Sequence, residues 1–101
     1  MDSEDYIEVE VYFLKAEDGG HRQPPDLTTG CYRPHFRVSP YTEMLGVEFV
    51  SESLNIQAGV SFRTRIRLLY APEVDYTLLT VGTHFDVLEG PKVVGHGFVI
   101  R

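Results

Sequence analysis

FRTRIRLLY, residues 62–70, puts Phe62, Thr64, Ile66, Leu68 and Tyr70 on one side of an extended chain and Arg63, Arg65, Arg67 and Leu69 on the other. Successive β side chains point to opposite faces, so a period of two marks a strand with one face in a core and the other in water. A helix would scatter the three arginines around its circumference. The same period runs through YIEVEVYFL, residues 6–14, where Ile7, Val9, Val11 and Phe13 alternate with Glu8, Glu10, Tyr12 and Leu14. It returns in Tyr32, Pro34, Phe36 and Val38 against Arg33, His35 and Arg37, and in Leu45, Val47 and Phe49. Further strands are expected at 76–81 (YTLLTV), at 83–88 (THFDVL) and in the closing KVVGHGFVIR.

The connections are equally legible. Residues 15–30 carry Gly19, Gly20, Pro24, Pro25 and Gly30, and so many breakers predict a long loop. Residues 53–62 turn on Gly59, and Glu89, Gly90 and Pro91 make a turn between the last two strands. Pro34 has no N–H to donate, which predicts an edge or a bulge, and Gly95 and Gly97 inside a strand predict a bulge or sharp bend. No window has useful helical amphipathicity. The expected fold is all-β, a small six-stranded (six to seven) antiparallel β-barrel. Residues 1–5 are expected to be a flexible N-terminus and 6–101 a single barrel domain. Its core should hold Ile7, Val9, Val11, Phe13, Phe36, Phe62, Ile66, Leu68, Phe85 and Val99.

Composition narrows the function. The chain has 101 residues, with 9 Lys plus Arg against 15 Asp plus Glu and a formal charge of -6. That length fits one domain able to bury its own core. The acidic balance works against general attraction to phosphate backbones, so any RNA contact must be local. The first ten residues, MDSEDYIEVE, are acidic and unlike a signal peptide, and no apolar run is long enough to span a bilayer. A soluble cytoplasmic protein without membrane contact is expected. A single cysteine, Cys31, agrees with a reducing compartment.

The chemistry-bearing residues argue against catalysis. Cys31, His21, His35, His84 and His96 lack C-x-x-C or H-x-x-x-H spacing, which speaks against a metal site. Cys31 reads as a small buried thiol in preference to a nucleophile. Neither G-x-x-x-x-G-K-[ST] nor G-x-G-x-x-G occurs, so no nucleotide and no cofactor is expected. Surface acids are the default reading of Glu8, Glu10, Asp86 and Glu89. The arginine stripe leaves two readings open. Arg63, Arg65 and Arg67 either pair with acids such as Glu8 and Glu10 across the ladder, or form a partner-binding face for protein or RNA.

The order VEVYFLKAEDGG, GCYRPHF, then HFDVLEGPKVVGHGFVI resembles the C-terminal β-barrel domain of translation elongation factor Tu. The matching residues are Glu10, Val11, Tyr12 and Leu14; Asp18, Gly19 and Gly20; Gly30, Tyr32, Arg33, Pro34 and Phe36; and Phe85, Val87, Glu89, Gly90, Val94, Gly95, Gly97, Phe98 and Val99. The resemblance runs over about residues 6–100, with specific end motifs and a weak middle. Cys31 is inserted before Tyr-Arg-Pro, the H-T-P-F run is lacking, and His84 stands where that family has arginine. In that family this barrel contacts the T stem of tRNA, the GTPase domain and the exchange factor. The resemblance therefore implies an RNA-facing patch around His35 and around the turn at Glu89 and Gly90, and in the RNA reading Arg33 and His35 join Arg63, Arg65 and Arg67 in facing a tRNA-like helix. No GTPase domain and no second barrel are expected beside this one. The expectation is a stand-alone, non-catalytic module that binds a protein partner or regulates one, in the translation-related setting that the resemblance implies, with tRNA or other RNA as the alternative partner.

Overall fold

The computed structural model describes residues 6–20, 25–29, 31–50, 56–71 and 73–101. The expected flexible N-terminus, together with His21, Pro24 and Gly30, lies outside them. Six strands form: β1 (Tyr6–Phe13), β2 (His35–Arg37), β3 (Leu45–Val50), β4 (Phe62–Leu68), β5 (His84–Glu89) and β6 (Lys92–Val99). They pair in the order β1-β4-β3-β2-β5-β6, and β6 returns to β1, so the antiparallel barrel is closed. Closure leaves no strand with a bare row of N–H and C=O groups. The only helical pieces among the described residues are 3-10 turns at Ala16–Asp18 and Leu27–Thr29. No helix of the described residues is long and apolar enough to cross a membrane.

The alternation seen in the sequence sets which side faces in. Val9, Val11, Phe13, Phe36, Ile66, Phe85 and Val99 are buried as expected. A run of aromatic rings crosses the interior. Phe62 stacks on Phe13 at 5.8 Å between centroids, Phe13 meets Phe49 at 5.8 Å, Phe49 meets Phe36 edge-on at 5.9 Å, and Phe36 stacks on Phe85 at 3.8 Å. Each fully buried Phe or Leu contributes about 1.5–3 kcal/mol relative to exposure. Ile7, Phe62 and Leu68, expected in the core, are only partly buried and pack against its margin. Each sits at or near a strand end, where the barrel opens to water.

Three expectations are corrected. Residues 76–81 are not a strand: the Asp75 carboxylate accepts the Thr77 N–H, and Leu79 N–H donates to the Tyr76 carbonyl, so the backbone bonds are satisfied in local turns. β6 already has β5 and β1 as neighbours, which leaves no ladder for another strand to join. Tyr76 and Leu79 instead fold inward from this connection. Cys31 is exposed, because the chain at this point has not yet entered the wall at β2. Pro34 lies at neither an edge nor a bulge of this closed barrel. It precedes β2, and its carbonyl and that of Tyr32 accept the N–H groups of Val47 and Phe49, an arrangement that needs no donor from proline. The irregularity expected near the β6 glycines is present, as a register shift in which Val87 faces Gly95 while Leu88 faces Val93.

Candidate interaction surface

β4 aims Arg63, Arg65 and Arg67 outward because Thr64 and Ile66 between them are buried. Its neighbours supply acids in register. Glu10 stands opposite Arg63, Glu8 opposite Arg65, and Glu48 of β3 opposite Arg67. Arg63 Nε lies 3.3 Å from Glu10 Oε1, with 74% of the arginine side chain exposed. Glu8 does not take Arg65. Arg101 Nε donates to Glu8 Oε1 at 2.8 Å, while the Arg65 guanidinium lies over the Tyr6 ring, 5.2 Å from its centroid. A partly hydrated cation–π contact of this kind contributes about 0.5–1 kcal/mol.

Arg67 has the strongest partner. Its Nε donates to Glu48 Oε1 at 2.8 Å, and Arg33 Nε reaches Glu48 Oε2 at 3.1 Å. Glu48 is only 8% exposed, so the two guanidinium groups close over a nearly buried carboxylate. The Arg67 hydrogen bond, helped by Arg33 and opposed by burial, holds the Glu48 carboxyl below its ordinary value. The structure thus brings together Arg33 and Arg67, which the sequence kept far apart, through an acid that sequence reasoning did not single out. The available signal was the lone carboxylate in the apolar strand LGVEFV.

The remaining candidates lie elsewhere on the wall. His35 is half-buried in β2, opposite Gly46 and Leu88. Glu89 ends β5, where its Oε2 accepts the Tyr32 hydroxyl at 2.6 Å. Burial, followed by the Glu89 hydrogen bond and charge, pushes the Tyr32 phenol far above its usual range. Gly90 begins the two-residue hairpin loop with φ 59°, a left-handed conformation that suits glycine. The seven residues Arg33, His35, Arg63, Arg65, Arg67, Glu89 and Gly90 do not converge on one cleft. Among the described residues no group of three or more His, Cys, Asp or Glu side chains could hold a metal ion.

A second surface feature arises from the connections. Of the large exposed apolar side chains, Tyr41 and Met44 lie between β2 and β3, and Tyr70 and Val81 between β4 and β5. β3 and β4 are antiparallel, with Val47 opposite Leu68, so the start of β3 and the end of β4 share one end of the barrel. Both connections therefore emerge there. Tyr70 is held half-exposed by its ring lying on the α-carbon of Gly46, a place where any side chain on residue 46 would collide with the ring. The Tyr76 hydroxyl fixes the same corner by donating to the Gly46 carbonyl at 2.6 Å and accepting the Tyr70 N–H at 3.1 Å.

No known protein-family model matches this chain.

Proposed function

We propose that this chain is a non-catalytic binding module on a barrel of the elongation factor Tu C-terminal type, holding or regulating a protein partner in a translation-related, cytoplasmic setting. The observation that favours protein over RNA is how the outer surface is divided. Arg63 and Arg67 are engaged by Glu10 and Glu48, whereas Tyr41, Met44, Tyr70 and Val81 face solvent at one end. An RNA interface draws on cations whose donors are available to phosphate. A protein interface is centred on aromatic and methionine side chains, with charged residues at its rim. Arg33 and Arg67, which share Glu48 next to that end with 57% and 39% of their side chains exposed, supply such a rim. The Tyr-Arg-Pro and Glu-Gly motifs support the barrel type and the translation link.

The test compares capture of cytosolic proteins by the wild-type chain and by a Met44→Ser/Val81→Ser variant, identifying what is bound by mass spectrometry. The expected result is a partner retained at high salt and lost in the variant. Saturable tRNA binding that falls steeply with salt and disappears in Arg63→Glu/Arg65→Glu would overturn the protein reading in favour of RNA.

A further inference from the structure

On the β2, β5, β6 and β1 side of the barrel the wall carries a trough. Two adjoining cavities of about 280 and 220 Å³ share His84, His96 and Gly97. Arg37, Ser39 and Asp86 complete the larger one, and Glu10, Tyr12, Ser61 and Phe98 line the smaller. The recess exists because β2 ends at Arg37, so the ladder beside His84 loses its outer neighbour.

One row of side chains crosses four strands here. Arg37 faces Asp86, Asp86 faces His96, and His96 faces Tyr12. Asp86 Oδ1 lies 2.9 Å from His96 Nδ1, and Asp86 Oδ2 lies 3.3 Å from Arg37 Nη2. A carboxylate only accepts, so Nδ1 carries the proton and the imidazole presents Nε2 away from Asp86. In the next row His84 packs its ring on Phe98, with centroids 5.4 Å apart.

The chemistry of the lining is lopsided. Both Asp86 oxygens already accept hydrogen bonds, and Glu10 Oε1 faces Arg63. The donors retain capacity: Arg37 has five N–H groups and gives Asp86 one, beside the Ser39 hydroxyl and the His84 ring. A ligand that brings acceptors uses this donor capacity, and a tetrahedral oxyanion matches a guanidinium flanked by hydroxyl and imidazole groups. The smaller cavity adds the aromatic faces of Phe98 and Tyr12, which suit a flat organic group. We propose that this trough binds a small phosphomonoester, its phosphate among Arg37, Ser39, His84 and the Nε2 edge of His96, and its organic group over Phe98 and Tyr12. The proposal is independent of the protein-binding reading. A dianion beside Nε2 draws a proton from solvent onto His96, turning that atom from acceptor to donor, with Asp86, Arg37, His84, Glu10 and Tyr12 as the other titratable or charged groups facing it.

The test uses the full chain, following the imidazole resonances of His84 and His96 and the heat of binding in two buffers of different ionisation enthalpy. Inorganic phosphate should shift both histidines saturably in the millimolar range, and phenyl phosphate should bind about tenfold tighter through its ring. Heats that differ between the buffers would register the proton taken up. Arg37→Gln should weaken both ligands about tenfold or more while lowering the melting temperature only modestly, since it removes a charge-assisted donor from a half-exposed pair. Arg101→Gln, which removes a surface cation outside the trough, should leave affinity unchanged. Equal affinity for the two ligands would assign the trough to free phosphate and overturn the phosphomonoester. Unsaturable shifts, unchanged affinity in Arg37→Gln, or histidines that answer to zinc and not to phosphate would overturn the anion site itself.

Discussion

Gly97 faces Phe85 across β5 and β6 so closely that a β-carbon on residue 97 would stand 2.8 and 2.9 Å from two carbons of the Phe85 ring. The ring is held by its stacking on Phe36, and the same β-carbon would also collide with the Glu10 carbonyl of β1. Gly97→Ala should therefore destabilise the barrel by about 1–3 kcal/mol through overpacking. The shift in urea midpoint measures this. An unchanged midpoint would mean that β5 and β6 stand farther apart in solution.

Truncation should rank the aromatic run by depth. Phe36→Ala and Phe49→Ala each remove a ring with no exposed area and should cost about 3–5 kcal/mol. Phe62→Ala, at the margin, should cost clearly less, because water already reaches its ring and can fill the space. Equal losses at all three positions in chemical denaturation would place Phe62 in the core after all.

The charged wall should respond unequally to reversal. Arg67→Glu sets a second carboxylate against the nearly buried Glu48 and should lower the melting temperature most. Arg63→Glu disturbs an exposed pair worth about 0–1 kcal/mol and should lower it little. Arg65→Glu loses the contact with Tyr6 and faces Glu8 across the ladder, which places it between the two. Thermal melts of the three single variants check the order.

Stability should fall at both ends of the pH scale for identifiable reasons. Glu48 has its folded value depressed, so its stabilisation is complete above the unfolded carboxyl value of about 4.3 and is lost as pH drops through the folded value. Tyr32 has its folded value raised, so its stabilisation is complete below the unfolded phenol value of about 10 and declines as pH rises beyond it. Glu48→Gln should flatten the acid limb of melting temperature against pH, and Tyr32→Phe the alkaline limb. Limbs that keep their wild-type slopes would locate the responsible groups elsewhere.

What could be read from the chain follows from where the determining contacts lie. β1 and β4 were legible because one face of each is buried and the other is charged, which imprints a period of two on the sequence itself. Residues 76–81 defeated the same logic: Tyr76 and Leu79 are apolar because they fold inward from a looped connection, a burial that composition cannot distinguish from a strand's. Leu27, buried within a breaker-rich connection, left no periodic trace at all. Glu48 and the trough depend on pairings between strands distant in sequence, β3 with β4 and β2 with β5, and so on a topology that no local pattern encodes.

The seam at β1 also orders events in time. Tyr6–Phe13 leaves a ribosome before the other five strands of the barrel, yet one of its neighbours ends at Leu68 and the other at Val99. Until β4 has emerged this strand has no partner on either side, and until β6 has emerged the wall cannot close. Such high contact order places folding in the slower, millisecond-to-second regime. During that wait Val9, Val11 and Phe13 are bare apolar surface. Glu8 and Glu10, interleaved among them, act as gatekeepers that keep one nascent chain from pairing with the next.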